Sequence, residues 1–137
     1  MTTTRYGILA GHGGLLTDVI EGCVHHNLSY FVVAFHGQTQ VETIQHHPHA
    51  WVDLGKINQT LSLLKDEKIT HLIMAGRFKR PSFSDLKLDT MGALWMAELG
   101  LKALGDDGLL KGLMGKLEAQ GFMIVSPETI IGLDACV

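Results

Sequence analysis

The chain has 137 residues, 46% of them hydrophobic and 18% charged, with a formal net charge of -3. That length suits one hydrophobic core rather than two ordinary domains of about 100–150 residues each, and the composition excludes a disordered chain. The mild acidity excludes a general attraction to nucleic acid or anionic lipid, so any phosphate binding must come from a local cluster of donors.

In chain order, Tyr6–Ala10 reads as a first buried strand and runs into Gly11-His12-Gly13-Gly14. Leu15, Leu16, Val19, Ile20 and Cys23 then lie on one apolar stripe of a first helix. Tyr30–Phe35 is a second strand, and the His- and Gln-rich stretch Gly37–His49 reads as a loop, the only polar stretch of low order of any length. A short strand follows at Ala50–Leu54, then a helix over Lys56–Glu67 carrying Ile57, Leu61, Leu63 and Leu64, then a strand at His71–Ala75.

Apolar residues from Leu86 to Leu104 predict a long helical stripe over Asp85–Leu104, read as core, which Gly105 interrupts. Asp106 and Asp107 suit the start of another helix, stopped by Gly121; Phe122–Val125 is a last strand, and Ser126–Thr129 opens one last turn. Strands alternating with helices predict a single α/β domain over residues 1–137, Rossmann-like and three-layered, with a mainly parallel sheet of about five strands. No stretch of roughly 18 apolar residues spans a membrane and no leader segment is expected at Met1. Cys23 and Cys136 form no CxxC, which fits a reducing cytoplasm.

Glycines between a first strand and a first helix allow a sharp turn and a close backbone approach, and the free amides of the helix start favour an anion. The alternative is a tight turn alone. The dinucleotide fingerprint fails where Leu16 stands for its third glycine, and again where His36-Gly37 stands for the acidic residue that holds the ribose. No Gly-Lys-Ser/Thr follows, so a Walker loop is excluded too. A generic anion or backbone-contact loop remains, with Gly11, Gly13 and Gly14 as its candidates and His12 either contacting a ligand or only filling space.

The segment "AGRFKRPSFSDLKLD" follows the fourth strand and sets Arg77, Lys79 and Arg80 before Pro81. Ligands of open α/β sheets bind outside the carboxyl ends of the strands, so this loop and the glycine loop could share one edge. Arginine offers a planar fork to phosphate and lysine a mobile charge, whereas the plain alternative is a solvated charge run. Asp106 and Asp107 could reach Mg²⁺ or simply cap a helix, and Asp85 and Asp89 read as solvated or capping groups. His46-His47-Pro48-His49 has no partner ligands at suitable spacing, so adventitious rather than physiological metal binding is expected. His25 and His26 suit the end of the first helix.

Together, Ala10-Gly11-His12-Gly13, "AGRFKRPSFSDLKLD" and "GDDGLLKGLMGKLEAQGF" resemble, in order and spacing, the N-terminal domain of the magnesium-dependent UDP-2,3-diacylglucosamine pyrophosphatases of lipid A synthesis. The middle motif, Ala75-Gly76 through Arg80-Pro81 to Asp85-Leu86, is the most specific. The resemblance implies hydrolysis of a UDP-linked diacylated glucosamine to UMP and the sugar 1-phosphate, at the cytoplasmic face of a Gram-negative inner membrane. It implies that Gly11, Gly13, Gly76, Arg80, Pro81, Gly105, Asp106 and Asp107 occupy family motif positions. Arg77 and Lys79 join the substrate-binding candidates on charge, and His12 on its place in the loop.

The resemblance implies a second, C-terminal domain that carries the decisive catalytic carboxylate chemistry with Mg²⁺ and is expected to be absent here, the chain being either one half of such an enzyme or a stand-alone relative that binds without turnover. No metal is expected on the chain itself and its catalytic residues are unassigned; the missing domain is an expected partner, while a homo-oligomer and peripheral membrane contact stay open. His12 departs from a family loop of three consecutive glycines, and Leu16 from its later proline. The alternative is a non-catalytic nucleotide- or phosphosugar-binding or protein-interaction module.

Overall fold

The computed structural model describes residues 4–53, 55–77, 89–99 and 108–135. Five strands, β1 (Tyr6–Ala10), β2 (Tyr30–Phe35), β3 (His49–Val52), β4 (His71–Ala75) and β5 (Met123–Val125), form one sheet in the order β3-β2-β1-β4-β5, and every neighbouring pair is parallel. The helices are α1 (Gly14–His25), α2 (Val41–Ile44), α3 (Ile57–Asp66), α4 (Thr90–Leu99), α5 (Gly108–Ala119) and α6 (Pro127–Ala135). This is the expected α/β architecture.

Side chains alternate across each strand, so a sheet covered on both faces needs apolar residues at consecutive positions. Ile8 and Ala10, Val32 and Ala34, and Ile73 and Ala75 point to one face, where they pack with Leu16, Val19, Ile20 and Cys23 of α1, Ile44 of α2 and Ile130 of α6. Leu9, Phe31, Val33, Phe35 and Leu72 point to the other, against Ile57, Leu61 and Leu64 of α3, Trp95 of α4 and Leu117 of α5. Cys23 is fully buried, and burial pushes its thiol up to about 11.

After β1 the chain moves outward to β2 and β3, then returns past β1 to β4 and β5. The reversal carries α3, α4 and α5 to the opposite face, as crossovers of one hand require. Between β1 and β4 it opens a crevice at the carboxyl edge, the place where open α/β sheets bind ligands. The amino edge beneath is tied off by Arg5, whose backbone amide donates to Thr70 Oγ1 at 2.9 Å and whose guanidinium meets Glu67 at 3.3 Å.

Two differences from the sequence expectations have physical causes. The Gly37–His49 loop contains a helical turn, α2, because Ile44 is fully buried against the α1 face and draws the chain down onto it. The expected last turn is the nine-residue helix α6, whose Ile130 covers α1 and is 1% exposed. The helix expected over Asp85–Leu104 is described as α4, Thr90–Leu99, where Asp89 caps its start; residues 85–88 lie outside the described ones.

That cap is shared. Asp89 Oδ1 accepts from the Ile57 amide at 3.1 Å and the Gly92 amide at 2.8 Å, while Oδ2 accepts from the Asn58 amide at 2.7 Å and the Gln59 amide at 3.4 Å. One carboxylate thus satisfies amides at the starts of both α3 and α4. Asn58 returns the contact, its Oδ1 accepting from the Met91 amide at 2.7 Å. Among the described residues no helix is long and apolar enough to cross a membrane.

Candidate functional site

β1 and β4 run in register to Ala10 and Ala75, and the ladder extends one step further where the Gly11 amide donates to Ala75 O at 2.8 Å. Beyond it the two loops turn toward each other. The His12 amide donates to Arg77 O at 2.9 Å and the Arg77 amide to His12 O at 2.8 Å, an antiparallel bridge on the end of a parallel pair. Two glycines permit it. A Cβ on Gly11 would lie 2.5 Å from Arg77 O, and one on Gly76 would lie 2.9 Å from His12 O in a backbone already at φ +105°.

Gly13 then lifts the chain, at φ 104° and ψ 178°, into the first turn of α1. No side chain caps this helix and its first turn holds no acidic residue, so its leading amides and the positive end of its dipole stay uncompensated. Against this start lies a cavity of about 510 Å³ lined by His12, Gly13, Gly14, Leu15, Gly76 and Arg77. Arg77 is exposed beside it. His12 is partly buried, and its Nδ1 is buried without a hydrogen-bond partner. Thr39 braces one side: its hydroxyl donates to Ala10 O at 2.6 Å and accepts from the Phe35 amide at 2.9 Å.

Of the candidates from sequence, the structure gathers Gly11, His12, Gly13, Gly76 and Arg77 at this one crevice. Lys79, Arg80, Pro81, Gly105, Asp106 and Asp107 lie outside the described residues, as does Asp85. Gly14, also read from the sequence as part of the glycine loop, lines the cavity too; sequence reasoning missed Leu15, and Thr39, whose role depends on a contact across 29 positions that no local pattern encodes.

Several histidines outside the crevice are occupied in the fold. His47 Nδ1 lies 2.7 Å from Tyr30 Oη, and burial, followed by the nearby His46 and His49, lowers the His47 pKa. His49 Nδ1 lies 2.8 Å from His47 O. The His36 ring, standing where a dinucleotide fold would carry its ribose-binding acid, stacks on Trp51 with centroids 5.2 Å apart. Among the described residues no group of three or more His, Cys, Asp or Glu side chains could hold a metal ion.

A larger groove, about 770 Å³, runs along the C-terminal half of α1 between Asp18, Glu21, His25, His47 and Ile131. Its two carboxylates make it a poor phosphate site, whereas the smaller crevice brings together a cation, a free helix start and a ring nitrogen. That combination suits an anionic oxygen ligand such as a phosphate.

A family profile described as the LpxI N-terminal domain matches residues 5–132. The chain is 26% identical over 129 residues to the UDP-2,3-diacylglucosamine pyrophosphatase LpxI of Caulobacter vibrioides, covering 93% of this chain and 46% of that protein. It therefore spans about half the length of that relative. A solved structure of N5-carboxyaminoimidazole synthase from Aspergillus clavatus, in complex with ADP and a ribonucleotide, aligns with 71% of this chain and 23% of its own at 15% identity. Its TM-score is 0.40, a likeness too weak to carry any inference.

Proposed function

The chain belongs to the LpxI N-terminal domain family, and from that premise we propose that it is the phosphate-binding half of a UDP-2,3-diacylglucosamine pyrophosphatase acting in lipid A biosynthesis. The observation that carries this reading is the β1/β4 crevice, where Arg77 and the uncapped start of α1 face one cavity. In the reading, the α1 amides and the Arg77 guanidinium bind phosphate oxygens of the UDP-linked diacylated glucosamine or of its products, UMP and the sugar 1-phosphate. Gly11 and Gly76 hold the two loops close enough for both donor sets to reach one ligand.

The matched relative is about twice as long as the aligned region, and its named activity belongs to the whole protein. We therefore assign bond cleavage to residues beyond this half. The family's Mg²⁺ finds no fitting donor set among the described residues: Asp89 is held by four backbone amides, and no other cluster qualifies. No catalytic step is assigned to a metal on this chain. The reading also places the protein in the cytoplasm, at the inner face of the inner membrane where its lipid-linked substrate is presented.

Incubating the purified chain with UDP-2,3-diacylglucosamine and Mg²⁺ tests the division of labour, with UMP release as the readout. No release is expected, and turnover like that of a two-domain enzyme would overturn the placement of catalysis. Titration with UMP, a glucosamine 1-phosphate and NAD tests the ligand class. Binding of either phosphate monoester supports the reading, binding of NAD alone overturns it, and binding of none favours an interaction module.

A further inference from the structure

His12 stands in the crevice with its main chain fully used: its amide and carbonyl are both bonded to Arg77. Only the imidazole is left to meet a ligand. Its two nitrogens are not equivalent, because Nδ1 is buried and has no partner whereas the residue as a whole is partly exposed and lines the cavity. A buried N–H without an acceptor is among the rarest features of folded proteins, and leaving one costs about 1–3 kcal/mol. A bare lone pair is the lesser penalty. In the neutral ring the proton therefore belongs on Nε2.

We propose that His12 is a phosphate-binding residue of the crevice, donating Nε2–H to a non-bridging oxygen of a phosphate monoester that Arg77 and the α1 amides also contact. This rests on the phosphate-binding reading above and adds the atom, the tautomer and the donor count. The contact differs in kind from that of Arg77: it adds direction without adding a full charge. A glycine at this position could not supply it, since the backbone donor there is spent on Arg77.

The test uses the full chain, ¹⁵N-labelled for histidine resonances, with inorganic phosphate, UMP and glucosamine 1-phosphate as separate probes. Long-range ¹H–¹⁵N correlation above the titration range of imidazole reads the tautomer without any ligand. The expected result is a His12 proton on Nε2, and a proton on Nδ1 would overturn the proposal. With ligand, the Nε2–H resonance should shift on saturation, and His12→Ala should weaken phosphate binding about tenfold. His12→Gln, which keeps a neutral N–H donor, should recover most of the loss.

Wild-type binding that His12→Ala leaves unchanged overturns the proposal and spares the site. Failure of the wild-type chain to bind any of the three probes overturns the site reading and this proposal with it. The arm that binds tighter, UMP or the sugar phosphate, identifies which product's phosphate the crevice takes.

Discussion

The start of α1 and the joined starts of α3 and α4 open on the same edge of the sheet, yet their free amides are treated in opposite ways. At α3 and α4 a single carboxylate, Asp89, accepts from four amides of two helices, and Asn58 accepts from a fifth. At α1 no side chain caps, no acid sits in the first turn, and a cavity lies against the opening. The first arrangement locks two helices together and leaves little for a ligand to do. The second leaves donors unmet at a topological switch point, where an anion can complete them. Within one sheet edge, saturation marks structure, and incompleteness marks the proposed binding site.

Substitutions should separate the two. The largest effect is expected from Gly11→Val, since even a Cβ there would press on Arg77 O at 2.5 Å. Forcing the loops apart should cost about 2–3 kcal/mol of stability and abolish phosphate binding, read by urea denaturation and by titration. Next comes Asp89→Ala, which strips both helices of their cap and should cost about 2 kcal/mol while leaving phosphate affinity unchanged within twofold. Asp89→Asn, itself a good cap, should restore part of that loss. Weakened phosphate binding by Asp89→Ala in the folded protein would break the distinction.

Arg77→Ala is the mirror image. Its side chain is exposed, so the melting temperature should hold while affinity for UMP falls roughly five- to tenfold, about 1 kcal/mol. An Arg77 variant that melts early yet binds normally would assign the cation to the scaffold.

The smallest effect belongs to His47, far from both helix starts, and is a matter of pH. Its pKa is lowered in the folded state, chiefly by burial, so the unfolded chain takes up a proton first as the pH falls below about 6.5. Stability tied to this residue is intact above that pH and declines as the pH drops through the folded value. Comparing thermal melts of the wild type and His47→Gln across that range should show a shallower decline in the variant.

Much of this was readable from the chain. β1, β2 and β4 are runs of consecutive apolar residues because a sheet covered on both faces requires them, and the glycines at 11 and 76 stand where β1 and β4 end. What stayed hidden depends on contacts between distant residues. Asp89 reads locally as one helix cap, and only the meeting of α3 with α4 makes it two. Ile44 stands in a polar stretch with only Val41 near it, and Ile130 in a short apolar run with Ile131, too little pattern to announce the helices they anchor to α1. Thr39 is one hydroxyl in a loop. The orphaned Nδ1 of His12 follows from the fold around it and has no signature in sequence.

The bridge between His12 and Arg77 joins two segments far apart along the chain, with β2, β3 and the helices between them lying in the interval. The glycine loop is consequently only half of the proposed binding site. A peptide bearing β1 and α1 would own the loop but not the crevice, and the closure entropy of that long interval must be met before the two halves come together. Recognition at this edge is a property of the completed sheet, so a bound phosphate would fasten its first strand to its fourth.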